Sequence, residues 1–139
     1  MEALNDQLKN AYLAGLLDGE GSIGFGSVRK GYRPAKLVMT MTDKDTMQWV
    51  VDYTKVGKLR EYLPTSPSGG ACKIAYRWEV YALKAVPILI AVRPYLITKA
   101  KRADEVLKFY KQRTKDPQYM ARYGHHWIGL EQWIVNGQK

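Results

Sequence analysis

The chain of 139 residues holds one cysteine, Cys72, two histidines, His125 and His126, and only 13 acidic residues. A lone cysteine excludes an intrachain disulfide and fits a reducing, intracellular setting. Cys72 reads as a small packed or edge residue rather than a nucleophile. The adjacent histidines lack the Cys/His set at zinc spacing, so a surface pair is the simpler reading. No apolar run approaches the ~18 residues that span a bilayer; the longest, Ala85 to Val92, is interrupted by Pro87. The first six residues have neither the basic nor the apolar region of a signal peptide, so no membrane partner is expected. Gly24-Phe25-Gly26 lacks the lysine and following helix of a phosphate-binding loop, and no Ser-His-acid order stands out. Trp78, Trp127 and Trp133 read as packing residues.

Against 13 acids stand 22 lysines and arginines, a net charge of +9. That balance favours a polyanionic partner, nucleic acid first, and its distribution decides whether the charge is more than a solvated surface. With 46% hydrophobic residues, the chain can bury one core. One domain over 1–139 is expected, its core about 8–110 with a helical extension at 111–139.

Periodicity predicts a first helix, capped by Asn5 or Asp6, to about Asp18. Leu13, Leu16 and Leu17 make an apolar face; Ala11, Gly15 and Gly19, at i, i+4, i+8, make a flat one. A glycine inside a helix costs about 1 kcal/mol against alanine, so Gly15 needs a reason. It accommodates either an internal contact or, as favoured here, a partner helix across a twofold axis. Strands are predicted at Ser22–Lys30, Lys36–Thr42, Gly57–Leu63 and Cys72–Tyr81, with a helix from Lys44 to Thr54 capped by Asp43. In the last strand Ile74, Tyr76, Trp78 and Val80 are expected inward and Lys73, Ala75, Arg77 and Glu79 outward. Helices follow at Ala82–Val92, Thr98–Arg113 (ended by Asp116-Pro117) and Trp127–Val135. The order is α-β-β-α-β-β-α, an α+β fold in which two hairpins form one antiparallel sheet with helices on one face. The opposite face would carry Lys30, Lys36, Lys58, Arg60, Tyr62, Lys73 and Arg77 with the hydroxyls of Thr40 and Thr42, and among them only Glu79 as an acid. A solvated antiparallel face is common, yet β-ribbons enter the major groove, where Arg and Lys read guanine and Thr reaches bases or thymine methyls.

At the junction between the first helix and the first strand lies Leu13-Ala14-Gly15-Leu16-Leu17-Asp18-Gly19-Glu20-Gly21. Acids at the carbonyl end of a helix cost about 0.3–1 kcal/mol each. A hard divalent cation would turn that cost into a binding site. The stretch resembles the signature of the LAGLIDADG homing endonucleases, with Leu17 in place of Ile and Gly19-Glu20 in place of Ala-Asp, the acid kept. No second copy occurs downstream. The resemblance implies a homodimeric, site-specific endonuclease that hydrolyses double-stranded DNA across the minor groove of a long, near-palindromic site, leaving 3′ overhangs. It implies a saddle-shaped DNA-binding sheet, and a divalent metal, Mg²⁺, with Mn²⁺ or Ca²⁺ as substitutes for binding, held by Glu20 and the Gly19 carbonyl. It implies two more active-site positions: Asp43, where the family places a polar group that positions water and where a helix cap is equally apt, and Lys99, in Pro94-Tyr95-Leu96-Ile97-Thr98-Lys99-Ala100-Lys101-Arg102, where the family often has a lysine. Lys101 and Arg102 are alternatives for that lysine. An arginine that some relatives carry is replaced here by Met47. On the same fold, an RNA maturase or a DNA-binding protein without cleavage are the competing functions.

Overall fold

The computed structural model describes residues 4–28, 33–63, 69 and 73–127. Helix α1 (Gln7–Glu20) starts at Asp6, whose side chain accepts from the Lys9 N–H at 3.1 Å. Its buried face is Asn10, Leu13, Ala14 and Leu17, the i, i+3, i+4, i+7 stripe of an amphipathic helix. It runs two residues beyond the predicted Asp18 and passes without a loop into strand β1 (Gly21–Phe25). Gly21 makes this possible: a Cβ there would lie 2.8 Å from Leu17 Cδ2 and 2.9 Å from the Leu17 backbone.

β1 is shorter than the predicted Ser22–Lys30. Its pairing with β2 (Ala35–Met41) ends at Phe25↔Ala35. The Gly26 N–H donates to the Pro34 carbonyl at 2.8 Å, and Pro34, having no N–H, cannot continue the ladder. The predicted strand position Lys30 lies outside the described residues. In β2 the alternation holds, with Ala35, Leu37 and Met39 fully buried.

Helix α2 (Lys44–Thr54) begins at Asp43 as expected, leads to β3 (Lys58–Tyr62), and β4 (Ala75–Tyr81) returns. The four antiparallel strands lie in the order β1-β2-β4-β3. One inward expectation in the last strand is corrected. Ile74 is 49% exposed, because the ladder begins one residue later at Tyr62↔Ala75; Ala75 keeps the expected outward register beside Tyr62 and is buried there. The fourth strand's first predicted residue, Cys72, lies outside the described residues.

After a 3₁₀ turn come α3 (Ala85–Val92) and, past a second such turn at Arg93–Tyr95, α4 (Ala100–Arg113). The sequence reading stops the helices at Asp116-Pro117. The chain instead turns there and starts α5 (Pro117–Tyr123), with Asp116 Oδ1 accepting from the N–H groups of Gln118 and Tyr119. The Asp-Pro pair that terminates one helix is also a good start signal for the next. The predicted helix Trp127–Val135 lies, past Trp127, outside the described residues.

The helices cover one face of the sheet, and Leu13, Leu17, Leu37, Met39, Met47, Trp78, Leu89, Val106 and Tyr110 form the core between the layers. Two polar atoms of that core are satisfied across it. The Ala35 N–H donates to Tyr110 Oη at 3.0 Å, and Trp78 Nε1 donates to the Val56 carbonyl at 3.0 Å. Next to the latter bond, Gly57 has φ +88°, and a Cβ there would come within 2.5 Å of Trp78 Nε1. Gly57→Ala is therefore expected to cost about 1–3 kcal/mol through strain and overpacking, read as a lower urea midpoint at unchanged slope.

Candidate nucleic-acid interface and active site

The strand register puts the predicted cations on one surface. Thr40, Arg77 and Arg60 form one cross-strand row, and Val38, Glu79 and Lys58 the next. Lys36 pairs with Tyr81 and Tyr62 with Ala75, which places Lys36 and Tyr62 on the same outward face. Like charges opposite each other, as Arg60 and Arg77 are, repel. Glu79 offsets this: Arg77 Nε donates to its Oε1 at 2.5 Å, and Tyr81 Oη donates to its Oε2 at 3.0 Å. The hydrogen bond from Arg77 is the main cause that holds the Glu79 carboxyl below its ordinary range, outweighing partial burial, with the charges of Arg77 and Arg60 adding. Lys73 and Thr42 are exposed just beyond the ends of β4 and β2. Of the predicted basic residues, Lys30 alone lies outside the described residues.

The motif lies at the end of this sheet where α1 becomes β1, with Gly21 paired to Met39 near the end of β2. Gly19 and Glu20 are exposed. Among the described residues the Glu20 side chain makes no hydrogen bond or ion pair. Asp18, two residues back, is fully engaged. Its Oδ2 accepts from the Ile97 N–H at 2.8 Å and its Oδ1 from the Lys99 N–H at 3.0 Å. Lys99 Nζ in turn donates to the Asp18 carbonyl oxygen at 2.5 Å, placing a cation at the negative end of the α1 dipole. Burial alone would raise the Asp18 pKa; the N–H groups of Ile97, Lys99 and Thr98 and the charge of Lys99 outweigh it, and the net shift is downward. The cost foreseen for an acid at this helix end is thus removed for Asp18 and remains for Glu20.

The three candidate cations near residue 100 separate. Lys99 reaches the motif. Arg102 is turned to the flank of β1, its Nε donating to the Ile23 carbonyl at 3.2 Å and its Nη1 to Glu105 at 2.6 Å. Lys101 is exposed on α4. Asp43 caps α2, accepting from the Thr46 N–H at 3.1 Å and from the Thr46 hydroxyl. That side-chain bond first, then the backbone one, lowers its pKa, so the group at the end of β2 is a carboxylate. Met47 is fully buried, so no exposed cation occupies that position.

The expected contact stripe on α1 is open. Gly15 and Gly19 are exposed, and a Cβ at either would meet nothing within 4 Å; Ala11 is half-buried. Among the described residues no internal contact accounts for Gly15. Leu8 and Tyr12, on the same side, are 85% and 53% exposed. Among the described residues no three His, Cys, Asp or Glu side chains cluster to hold a metal within one chain. No described helix is long and apolar enough to cross a membrane. The anchoring role of Asp18 has no local signal in the sequence, because its partners lie 79 and 81 residues away.

No protein-family model matches the chain, and no curated protein matches it in sequence. Among solved structures it is similar to the homing endonuclease I-CvuI in complex with the I-CreI target in the presence of Mg, at 26% identity and a TM-score of 0.60, over 84% of this chain and 76% of that one. It is similar to the archaeal intron-encoded homing endonuclease I-Vdi141I complexed with DNA at 14% identity and a TM-score of 0.55, over 90% and 83%. The LAGLIDADG meganuclease I-AabMI bound to uncleaved DNA aligns at 19% identity and a TM-score of 0.53, over 92% of this chain but 42% of its own length. The last two likenesses concern the fold alone. With the motif at the helix-to-strand junction and this α+β fold around it, the chain has the fold of the LAGLIDADG homing endonucleases and resembles that family.

Proposed function

We propose that the chain is a site-specific, metal-dependent DNA endonuclease that works as a homodimer, its sheet face reading double-stranded DNA and its motif end cutting it. The observation that carries this reading is an exposed carboxylate, Glu20, without a side-chain bond among the described residues, two positions beyond the Asp18 carbonyl that holds the Lys99 ammonium. Both stand at one end of a surface bearing Lys36, Lys58, Arg60 and Arg77.

The donor set suits a hard divalent cation. Glu20 offers a carboxylate that no described residue competes for, and Gly19 offers a carbonyl with no side chain to keep phosphates away. Such an ion, when bound, activates water and neutralises charge on the attacking and leaving oxygens. Since no cluster of acids forms among the described residues of one chain, a second copy would supply the matching carboxylate across the twofold axis. The residues divide the remaining work. Lys99 stabilises negative charge on the scissile phosphate; Asp43, charged and fixed by Thr46, orients water; and the basic sheet supplies affinity and register through phosphates and base edges.

Cleavage of linear duplexes drawn from a randomised library, with and without Mg²⁺, tests the reading. Recovery of one near-palindromic family of cut sites with 3′ overhangs is the expected result. Selective binding without cleavage would identify a DNA-binding protein, and tight binding of structured RNA with neither would identify a maturase.

The homodimer makes its own prediction. Because nothing described within the chain fills the space over Gly15, the glycine is explained by a second α1 packed against it. Gly15→Leu should hold the two helices apart, so that sedimentation gives a dimer for the wild type and a monomer for the variant. A wild-type monomer both free and on DNA would refute the assembly.

A further inference from the structure

An acid on a DNA-binding face repels phosphates, so Glu79 needs an explanation. Its surroundings give one. It follows Arg77 by two residues on β4, on the same outward side, and lies opposite Lys58 on β3 and Val38 on β2. It is more buried than its partner, with the side chains 19% and 36% exposed respectively. Both oxygens are used: Oε1 accepts from Arg77 Nε and Oε2 from the Tyr81 hydroxyl. The carboxylate is therefore held from two sides, and it holds the arginine by the one nitrogen that is not at the tip. Among the described residues Arg77 donates from Nε alone. A guanidinium is planar, with five donors in a fixed fork. Tying down Nε leaves the terminal edge, one N–H from each Nη, whole. That edge matches the paired O6 and N7 acceptors of guanine in the major groove, and an arginine already held loses less side-chain entropy on taking that pose.

We propose that Glu79 is a specificity-setting residue, holding Arg77 so that its Nη1/Nη2 edge reads one guanine in each half of the target. The inference rests on the sheet being the DNA surface. It explains why an acid belongs there, since Glu79 lowers general attraction to the backbone and converts one cation from a phosphate contact into a base reader. Thr40 and Arg60, which flank Arg77 in its cross-strand row, are then left to hydroxyl and phosphate contacts beside that base pair.

The test is binding selection from linear duplexes randomised around the preferred site, in the presence of Ca²⁺, for the wild type, Arg77→Ala, Glu79→Ala and Glu79→Gln. Arg77→Ala should blur one base pair in each half and weaken binding to the preferred duplex roughly 5- to 150-fold. Glu79→Ala should blur the same base pair. Its affinity for a scrambled duplex should rise at low salt, with the gain lost at high salt as the added attraction is screened. Glu79→Gln, whose amide oxygen still accepts from Nε, should recover much of the preference. The proposal is overturned if Glu79→Ala leaves the base pair sharp while Arg77→Ala blurs it, or if both leave it sharp. It is equally overturned if Glu79→Ala weakens all duplexes alike together with a lower melting temperature, which is a purely structural effect. Failure of the wider reading has a different signature: substitutions at Lys36, Arg60 and Arg77 would all leave DNA binding unmoved.

Discussion

Glu20→Gln should abolish cleavage while the protein still folds, dimerises and binds its target. The carboxylate stands exposed at the last residue of α1, and no described side chain depends on it. Removing its charge therefore breaks no internal bond and relieves the unfavourable placement of an acid at a helix carbonyl end. The variant should melt at the same temperature as the wild type or slightly above it. The neutral amide lacks the charge with which a carboxylate holds a hard cation, so cleavage in Mg²⁺ should fall below detection, while band-shift affinity stays nearly intact because the sheet residues are unaltered. A variant that cuts at the wild-type rate would show that the motif acid is not the metal-binding group. A variant that neither binds nor folds would show that Glu20 is structural.

Lys99→Ala should lower the single-turnover cleavage rate by on the order of 10²–10³, the usual consequence of removing one preorganised electrostatic group from a reacting phosphate. Its ammonium lies against the Asp18 carbonyl, and its own N–H donates to the Asp18 carboxylate. The backbone anchor survives substitution, so the segment should stay in place and the effect should be one of charge. Lys101→Ala is the control. It removes the same charge two residues on, from a side chain exposed on α4. It should weaken DNA binding slightly and uniformly, as the loss of a single basic-field charge does. Equal and small losses from the two variants would remove Lys99 from the chemistry.

Much of this arrangement is written in local residue chemistry. Asp43 before a periodic run predicts the start of α2, and the alternation of Leu37, Met39 and Met41 predicts which side of β2 is buried. The outward cations of β3 and β4 follow from the same period of two, which is why the face they share could be read before any register was known. What escaped has a physical reason in each case. Ile74 is apolar and in phase, yet the pairing partner ends before it, and burial depends on neighbours that alternation cannot see. Asp116-Pro117 stops one helix and starts another, and the stop signal masked the start. The locations of Asp18 and Lys99 were legible only separately. Their contact joins residues 81 positions apart, and with it the different surroundings of Lys99, Lys101 and Arg102 became visible. Glu79 was read as a single acid among cations, because a side-chain hydrogen bond to Arg77 has no signature in composition.

The absence of a loop between α1 and β1 has a consequence for how such a protein can diverge. Glu20, the proposed cutting residue, and β1, the strand that edges the proposed reading sheet, share one unbroken stretch of backbone, locked where Leu17 leaves no room for a side chain on Gly21. The span between a base that is read and a bond that is broken thus behaves as a ruler of fixed length. On the proposed function, substitutions on β3 and β4 would rewrite the letters of the target, while the position of the cut relative to those letters would be inherited with the hinge-free joint.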